Sequence, residues 1–210
     1  MDSQARRQLF ERLQAGNPTP TTELIHRTPF ELLVAVVLSA HTTDRSVNAA
    51  TRRLFPIANT PEALAKMTQD EVAQQIEPVN HHYNKARYLI GLSKLVLERH
   101  GGEVPQDRAS LEALPGVGRK VASVVLNTAF GHHEIGIDTH IFRVCNRTGL
   151  APGNDVRTVE KTLQEVVPDE FKRYAHHWLL LHGRYVCKAM RPECARCVLY
   201  ELCEYPDKTA

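Results

Sequence analysis

The chain has 210 residues, 42% of them hydrophobic and 24% charged, with a formal net charge of +2 at pH 7. That is enough apolar material for one large domain or two small ones. It is too little net charge to draw nucleic acid by general attraction, so any such binding must rest on a local patch. Met1 to Gln14 is charged and lacks an apolar stretch of the signal-peptide kind, and no apolar run approaches the ~18 residues of a membrane span. A cytoplasmic protein is expected.

The predicted elements are nearly all helical. Thr28-Pro29-Phe30-Glu31 reads as a capping box with proline at the first helical position. It opens a stretch to Leu38 that is apolar all round and should be a central buried helix. Thr60-Pro61 begins another helix, and Thr68 with Glu71 forms a second capping box. Asn84 to Arg99 carries Leu89, Leu92, Leu95 and Val96 on one stripe and stops at Gly101-Gly102. Helices follow over Ser110–Leu114, Arg119–Phe130, Thr139–Thr148, Asp155–Val166 and Phe171–His182. Ile135-Gly136-Ile137 is too short for a useful strand, and the best internal break lies near Gly131 to Glu134.

Between two of these helices lies Leu114-Pro115-Gly116-Val117-Gly118-Arg119-Lys120. Gly116 and Gly118 allow positive φ and close approach to another surface. The exposed amides at the new helix start can bind an anion such as phosphate. A dinucleotide fingerprint would need a preceding strand and a third glycine where Val121 stands. A P-loop would need four residues between its glycines. What remains is similar to the helix-hairpin-helix motif of DNA-binding proteins, with an ordinary αα corner as the open alternative. Lys120 sits where the positive end of a helix dipole and the adjacent Arg119 disfavour a charged ammonium, which favours a nucleophilic amine. Asp138 stands where the Thr139–Thr148 helix begins, so it is expected as an N-cap, a duty compatible with stabilising charge on a sugar ring.

Four of the five cysteines are spaced Cys187-x6-Cys194-x2-Cys197-x5-Cys203, and Cys145 stands apart as a core thiol. Four thiolates in this window can close around one metal centre. Their spacing leaves zinc and a [4Fe–4S] cluster both open.

These residues together with Asp138-Thr139-His140-Ile141-Phe142-Arg143, Trp178 and Leu181-His182-Gly183-Arg184 carry a resemblance to a known family. The chain resembles the endonuclease III family, the bifunctional DNA glycosylase/AP lyases of the helix-hairpin-helix glycosylase superfamily. The likeness spans essentially the whole chain. It implies an all-α fold of two helical domains with DNA bound at the cleft between them. Residues 22–132 would form a six-helix barrel domain with the helix-hairpin-helix at about 108–130. Residues 1–21 and 133–210 would form a discontinuous cluster domain. It implies a [4Fe–4S] cluster on Cys187, Cys194, Cys197 and Cys203 in the loop 187–203. The cluster would stiffen a loop presented to phosphates, a structural role that leaves redox sensing as the open alternative.

The same resemblance implies removal of oxidised pyrimidines from duplex DNA and strand cleavage by β-elimination through a Lys120 Schiff base, with Asp138 assisting. Damaged bases would be extruded into a pocket lined by Ser39, Asp44, Glu112 and His140. Gly116, Val117, Gly118, Arg119, Arg143, Arg184, Lys188 and Arg191 would bind DNA. The partner would be double-stranded DNA carrying damaged bases or abasic sites, the protein a nucleoid-associated monomer. The chain departs from the family at Glu193, acidic where a basic residue is usual, though Arg196 stands nearby to compensate. It departs again at two loops that fill the gap left by the extruded nucleotide. Ser39-Ala40-His41-Thr42-Thr43-Asp44 replaces Ser-Ala-Gln-Ala-Thr-Asp, and Asn80-His81-His82-Tyr83 replaces a glycine followed by a bulky apolar residue and tyrosine. His41 and His81 are therefore expected as the duplex-plugging residues. Neutral drift and an altered lesion or opposite-base preference both account for them. A superfamily member directed at mismatches or chiefly at abasic sites, and a non-catalytic binder of damaged DNA, are the alternatives. Lys120 and Asp138 weigh against the last.

Overall fold

The computed structural model describes residues 1–209, and these contain helices and no strand. No helix among them is long and apolar enough to cross a membrane. The chain divides into two compact units, Thr22–Gly131 and a discontinuous one made of Met1–Thr21 with His132–Ala210.

The 22–131 unit is built around a central helix. α1 (Ser3–Gly16) belongs to the other unit; α2 (Pro29–Leu38) is the core of this one. Every residue from Phe30 to Leu38 is buried, including Glu31. At ~1.5–3 kcal/mol for each large aliphatic or aromatic side chain buried, this helix is the chief hydrophobic anchor of its unit. Thr28 caps it by accepting from the Glu31 amide at 3.1 Å. The reciprocal half of the expected capping box is shifted by one residue: Glu31 Oε2 accepts from the Arg27 amide at 2.6 Å, and its Oε1 accepts from Asn59. These two partners explain how a carboxylate tolerates burial.

α3 (Asp44–Leu54), absent from the sequence-based elements, buries Val47, Ala50, Thr51 and Leu54 along one face. α4 (Pro61–Ala65) and α5 (Gln69–Gln75) pack on the long α6 (His82–His100). The Thr68–Glu71 capping box at the start of α5 is formed in both directions. α7 is one turn, Arg108–Glu112, starting two residues earlier than expected because Asp107 caps it from the side chain. α8 (Arg119–Phe130) packs against both α7 and α2.

The other unit joins α1 to α9 (Thr139–Thr148), α10 (Val156–Val166) and α11 (Lys172–Tyr185). Phe10 of α1 stacks on Phe171 at 5.6 Å, and both meet Trp178 of α11. The indole of Trp178 donates to the Asn17 carbonyl at 2.7 Å, so the buried ring has its polar handle satisfied. Cys145 is a fully buried core thiol here, and burial pushes its pKa up to about 12.

Candidate active site and nucleic-acid interface

In the 22–131 unit the turn between α7 and α8 is held from within. Val117 donates to the Leu114 carbonyl at 3.1 Å, and its side chain is buried under the hairpin. Gly116 has φ +79°, and a Cβ there would lie 3.0–3.1 Å from the side chain of Tyr88. Gly118 does not share this conformation: its φ is −96°, it is the N-cap of α8, and a Cβ would meet nothing within 4 Å. Only Gly116 therefore needs glycine for its backbone angle. Gly118 leaves open space, and no side chain caps α8, so no capping side chain blocks the exposed start of the helix. That combination suits an anion held by backbone N–H groups. Lys120 is the second residue of α8 and is half-buried. Arg108 fastens α7 to α8 by donating to Ser123 Oγ at 2.9 Å, and it also pairs with Glu112 at 3.1 Å. Glu112 is thus an exposed carboxylate already engaged by a neighbour.

The two loops with the histidine replacements lie in the same unit and touch each other. His41 and His81 have φ of 55° and 56°, in the left-handed region. A non-glycine residue there costs on the order of 1 kcal/mol, persists only where its surroundings hold it, and is a mark of functional sites. The hold is visible: Asn80 Nδ2 donates to the His41 carbonyl at 2.5 Å, and the Asn80 amide donates to Thr42 Oγ1 at 3.2 Å. Both imidazole-bearing residues are exposed. Ser39 closes α2, with its hydroxyl turned back to the Val36 carbonyl, and Asp44 is the first residue of α3.

In the other unit Asp138 caps α9. Its Oδ1 accepts from the amides of His140 and Ile141, both at 2.9 Å, while Oδ2 makes no hydrogen bond among the described residues. One oxygen thus serves the helix and the other is not taken up by it. His140 Nδ1 faces Arg143 Nη2 at 3.2 Å. Arg143 also donates to the carbonyls of Cys187 at 2.8 Å and Gly183 at 2.7 Å. Its guanidinium is committed to joining α9, α11 and the cysteine loop, so it acts first as a brace there. Desolvation lowers its pKa, and the Cys187 thiol offsets part of that.

Cys187, Cys194, Cys197 and Cys203 line one pocket together with Arg147, His182 and Tyr205. No three His, Cys, Asp or Glu side chains among the described residues close on a single ion. Four thiols sharing one pocket are a soft donor set of the kind that iron–sulfur clusters and zinc both take. Burial is the largest cause pushing the Cys197 and Cys203 thiols above their usual range. Two side chains lie against the sulfurs: Arg147, which the sequence did not single out, and His182, which it singled out only as part of the family motif. Arg147 Nη1 donates to Cys187 Sγ at 3.7 Å, and His182 Nε2 lies 3.5 Å from Cys197 Sγ. Arg147 also donates to the carbonyls of Lys188 and Ala189 and stacks on the Tyr205 ring at 4.6 Å. Their signal was only their spacing from the cysteines through the fold.

In the loop between the first two cysteines, Glu193 is bonded to both Lys188 and Arg196. Those two bonds, Lys188 first, lower its pKa. Arg191 has φ 51°, is exposed, and makes no hydrogen bond or ion pair among the described residues. Arg184 is half-buried near the end of α11.

Residues 34–169 match the family described as HhH-GPD superfamily base excision DNA repair protein. The chain is 54% identical to endonuclease III of Escherichia coli (strain K12) over 208 residues, covering 99% of each. It is 53% identical to endonuclease III of Haemophilus influenzae over 208 residues, again 99% of each. Among solved structures, a trapped endonuclease III–DNA covalent intermediate with an estranged adenine aligns with TM-score 0.91 and 42% identity over 97% of this chain and 96% of that one.

Proposed function

Because the chain belongs to the HhH-GPD superfamily of base excision DNA repair proteins and, within it, to the endonuclease III family, we propose that it removes oxidised pyrimidines from duplex DNA and cuts the strand through Lys120. It is a base excision repair DNA glycosylase and AP lyase acting on damaged double-stranded DNA. The observation that carries the assignment of residues is the position of Lys120, in the first turn of α8 directly behind an uncapped hairpin start.

The chemistry follows from the residue types. Backbone N–H groups of Gly118 and Arg119 hold a phosphate beside the lesion. The Lys120 amine attacks C1′ of the sugar, the N–C1′ bond forms, and the bond from C1′ to the base breaks. The proton shed by the amine leaves with the base; the nitrogen lone pair then opens the C1′–O4′ bond, O4′ takes up a proton, and an iminium results. The iminium makes the C2′ proton acidic, and loss of that proton breaks the C3′–O bond and expels the 3′ phosphate by β-elimination. Asp138, through the oxygen that the helix does not use, steadies positive charge on the sugar and assists ring opening and proton transfer. Ser39, Asp44, Glu112 and His140 supply the polar wall for the extruded base. Arg184, Lys188 and Arg191 add charge toward the backbone, with Arg143 holding their platform.

Cys187, Cys194, Cys197 and Cys203 would hold a [4Fe–4S] cluster, supported by the pocket they line and by Arg147 and His182 lying against two of their sulfurs. When bound it would brace the 187–203 loop. Its substrate would place the protein in the cytoplasm with the nucleoid.

A second reading concerns specificity. The paired left-handed histidines favour an opposite-base or lesion preference shifted from that of relatives with an amide and an apolar residue in these loops. The test is to compare base release with strand nicking on duplexes containing thymine glycol, an abasic site or a mismatch. Release of thymine glycol with matched nicking supports the first reading. Nicking confined to abasic or mismatched duplexes supports the second.

A further inference from the structure

Lys85 lies on α6 and is buried, 6% exposed, with no carboxylate paired to it among the described residues. Its ammonium donates to three oxygens: the Leu38 carbonyl at 2.9 Å, the Ala40 carbonyl at 2.5 Å and Thr42 Oγ1 at 3.1 Å. Two of these belong to the carboxyl end of α2 and the turn after it, where a helix leaves carbonyls unsatisfied and carries partial negative charge. The third, Thr42 Oγ1, also accepts from the Asn80 amide. Asn80 in turn holds the His41 carbonyl and precedes His81 in the chain. One buried cation thus sits at the root of a chain of contacts that ends at both left-handed histidines.

Such an arrangement is costly. Burial alone draws the Lys85 pKa down to about 8, so the fold carries a desolvated charge with only neutral oxygens to offset it. An apolar side chain would fill this place in α6 at less expense, but it would leave the Leu38 and Ala40 carbonyls without this donor. The charge therefore has a use in ordering the 39–42 turn. An ordered turn matters where strained backbone must be ready before a ligand arrives, because a segment that orders on binding loses affinity by that ordering.

We propose that Lys85 is a positioning residue, which ties the 39–42 turn to α6 and, through Thr42 and Asn80, keeps His41 and His81 set for insertion into the duplex before DNA binds. The proposal rests on the reading of those histidines as duplex-plugging residues, and its test separates the two. In DNA-free protein, Lys85→Met is expected to speed hydrogen exchange at the amides of Ser39, Thr42 and Asn80 at least tenfold, with the buried amides of α8 unchanged. On an abasic-site duplex the same variant is expected to raise KM about tenfold with kcat within twofold. A generally loosened fold would move both amide sets together. Should Lys85→Met fail to fold, Asn80→Ala keeps the cation and removes the second tie. It is expected to raise exchange at Thr42 and to raise KM about threefold.

Unchanged exchange at the three amides in a folded variant would overturn the clamp. Faster exchange with unchanged KM would overturn its service to DNA binding. Absence of nicking by the unaltered protein would instead defeat the proposed function, and the exchange result would still decide the clamp.

Discussion

The side-chain amide of Asn80 donates to the carbonyl of His41 across 2.5 Å, joining the turn after α2 to the loop before α6. The two loops that replace the family's usual plugging residues are therefore one structural element. If they act together on the duplex, they should be exchanged together. His41→Gln with His81→Leu is expected to change the ranking of lesions or opposite bases. Relative kcat/KM on duplexes that differ only in the lesion or the opposite base checks this. An unchanged profile would leave the histidines as neutral replacements.

The hairpin glycines should respond unequally. Gly116→Ala places a Cβ against Tyr88 in a left-handed backbone, and is expected to cost on the order of 1–2 kcal/mol in urea unfolding and to weaken DNA binding. Gly118→Ala has an ordinary φ and open space, so its stability should change by under ~0.5 kcal/mol. Any loss of DNA affinity it causes would then report close backbone approach to phosphate.

Glu193 holds Lys188 and Arg196 in intramolecular pairs, so it competes with phosphates for both. Glu193→Gln is expected to tighten binding to undamaged duplex about threefold at low salt and to steepen the dependence of log Kd on log salt by about one to two. Fluorescence anisotropy across a salt series measures both. A shallower slope would show that the carboxylate orders the loop for binding instead of restraining it.

His177 is 3% exposed, and neither ring nitrogen has a hydrogen-bond partner among the described residues. Burial, with a smaller contribution from Arg173, lowers its pKa to about 4. The unfolded chain, with histidine near ~6.5, binds the proton more readily over the interval between these values. Stability from this group is thus full above about pH 6.5 and falls as pH drops toward 4. At pH 5 the loss should be roughly 2 kcal/mol relative to pH 7.5, and His177→Phe should remove that share of the acid sensitivity. Thermal melts of both proteins at the two pH values give the comparison.

Most helices were legible because their signals are local. Thr68 and Glu71 specify both halves of a capping box, and the apolar run to Leu38 leaves no polar face for water. α3 was missed although Val47, Ala50, Thr51 and Leu54 fall on one face, because arginines and small polar residues mask a narrow stripe. Candidate site residues could be named where spacing itself suggests chemistry, as with Lys120 behind the glycine turn and with the four cysteines as a donor set. Glycine type alone does not say which of Gly116 and Gly118 takes positive φ, nor that the first lies against Tyr88 of a distant helix. Lys85 was invisible for the same reason. A lysine on α6 looks like a solvated charge until the end of α2 is laid over it. The pairing of Glu193 with Lys188 and Arg196 likewise exists only once the loop is closed.

The central claim is that Lys120 is the nucleophile, and borohydride trapping tests it most directly. Reduction during reaction with a duplex containing thymine glycol or an abasic site should yield a covalent protein–DNA adduct with the unaltered protein and none with Lys120→Gln. An adduct of equal yield with Lys120→Gln, or no adduct with either duplex, would contradict it.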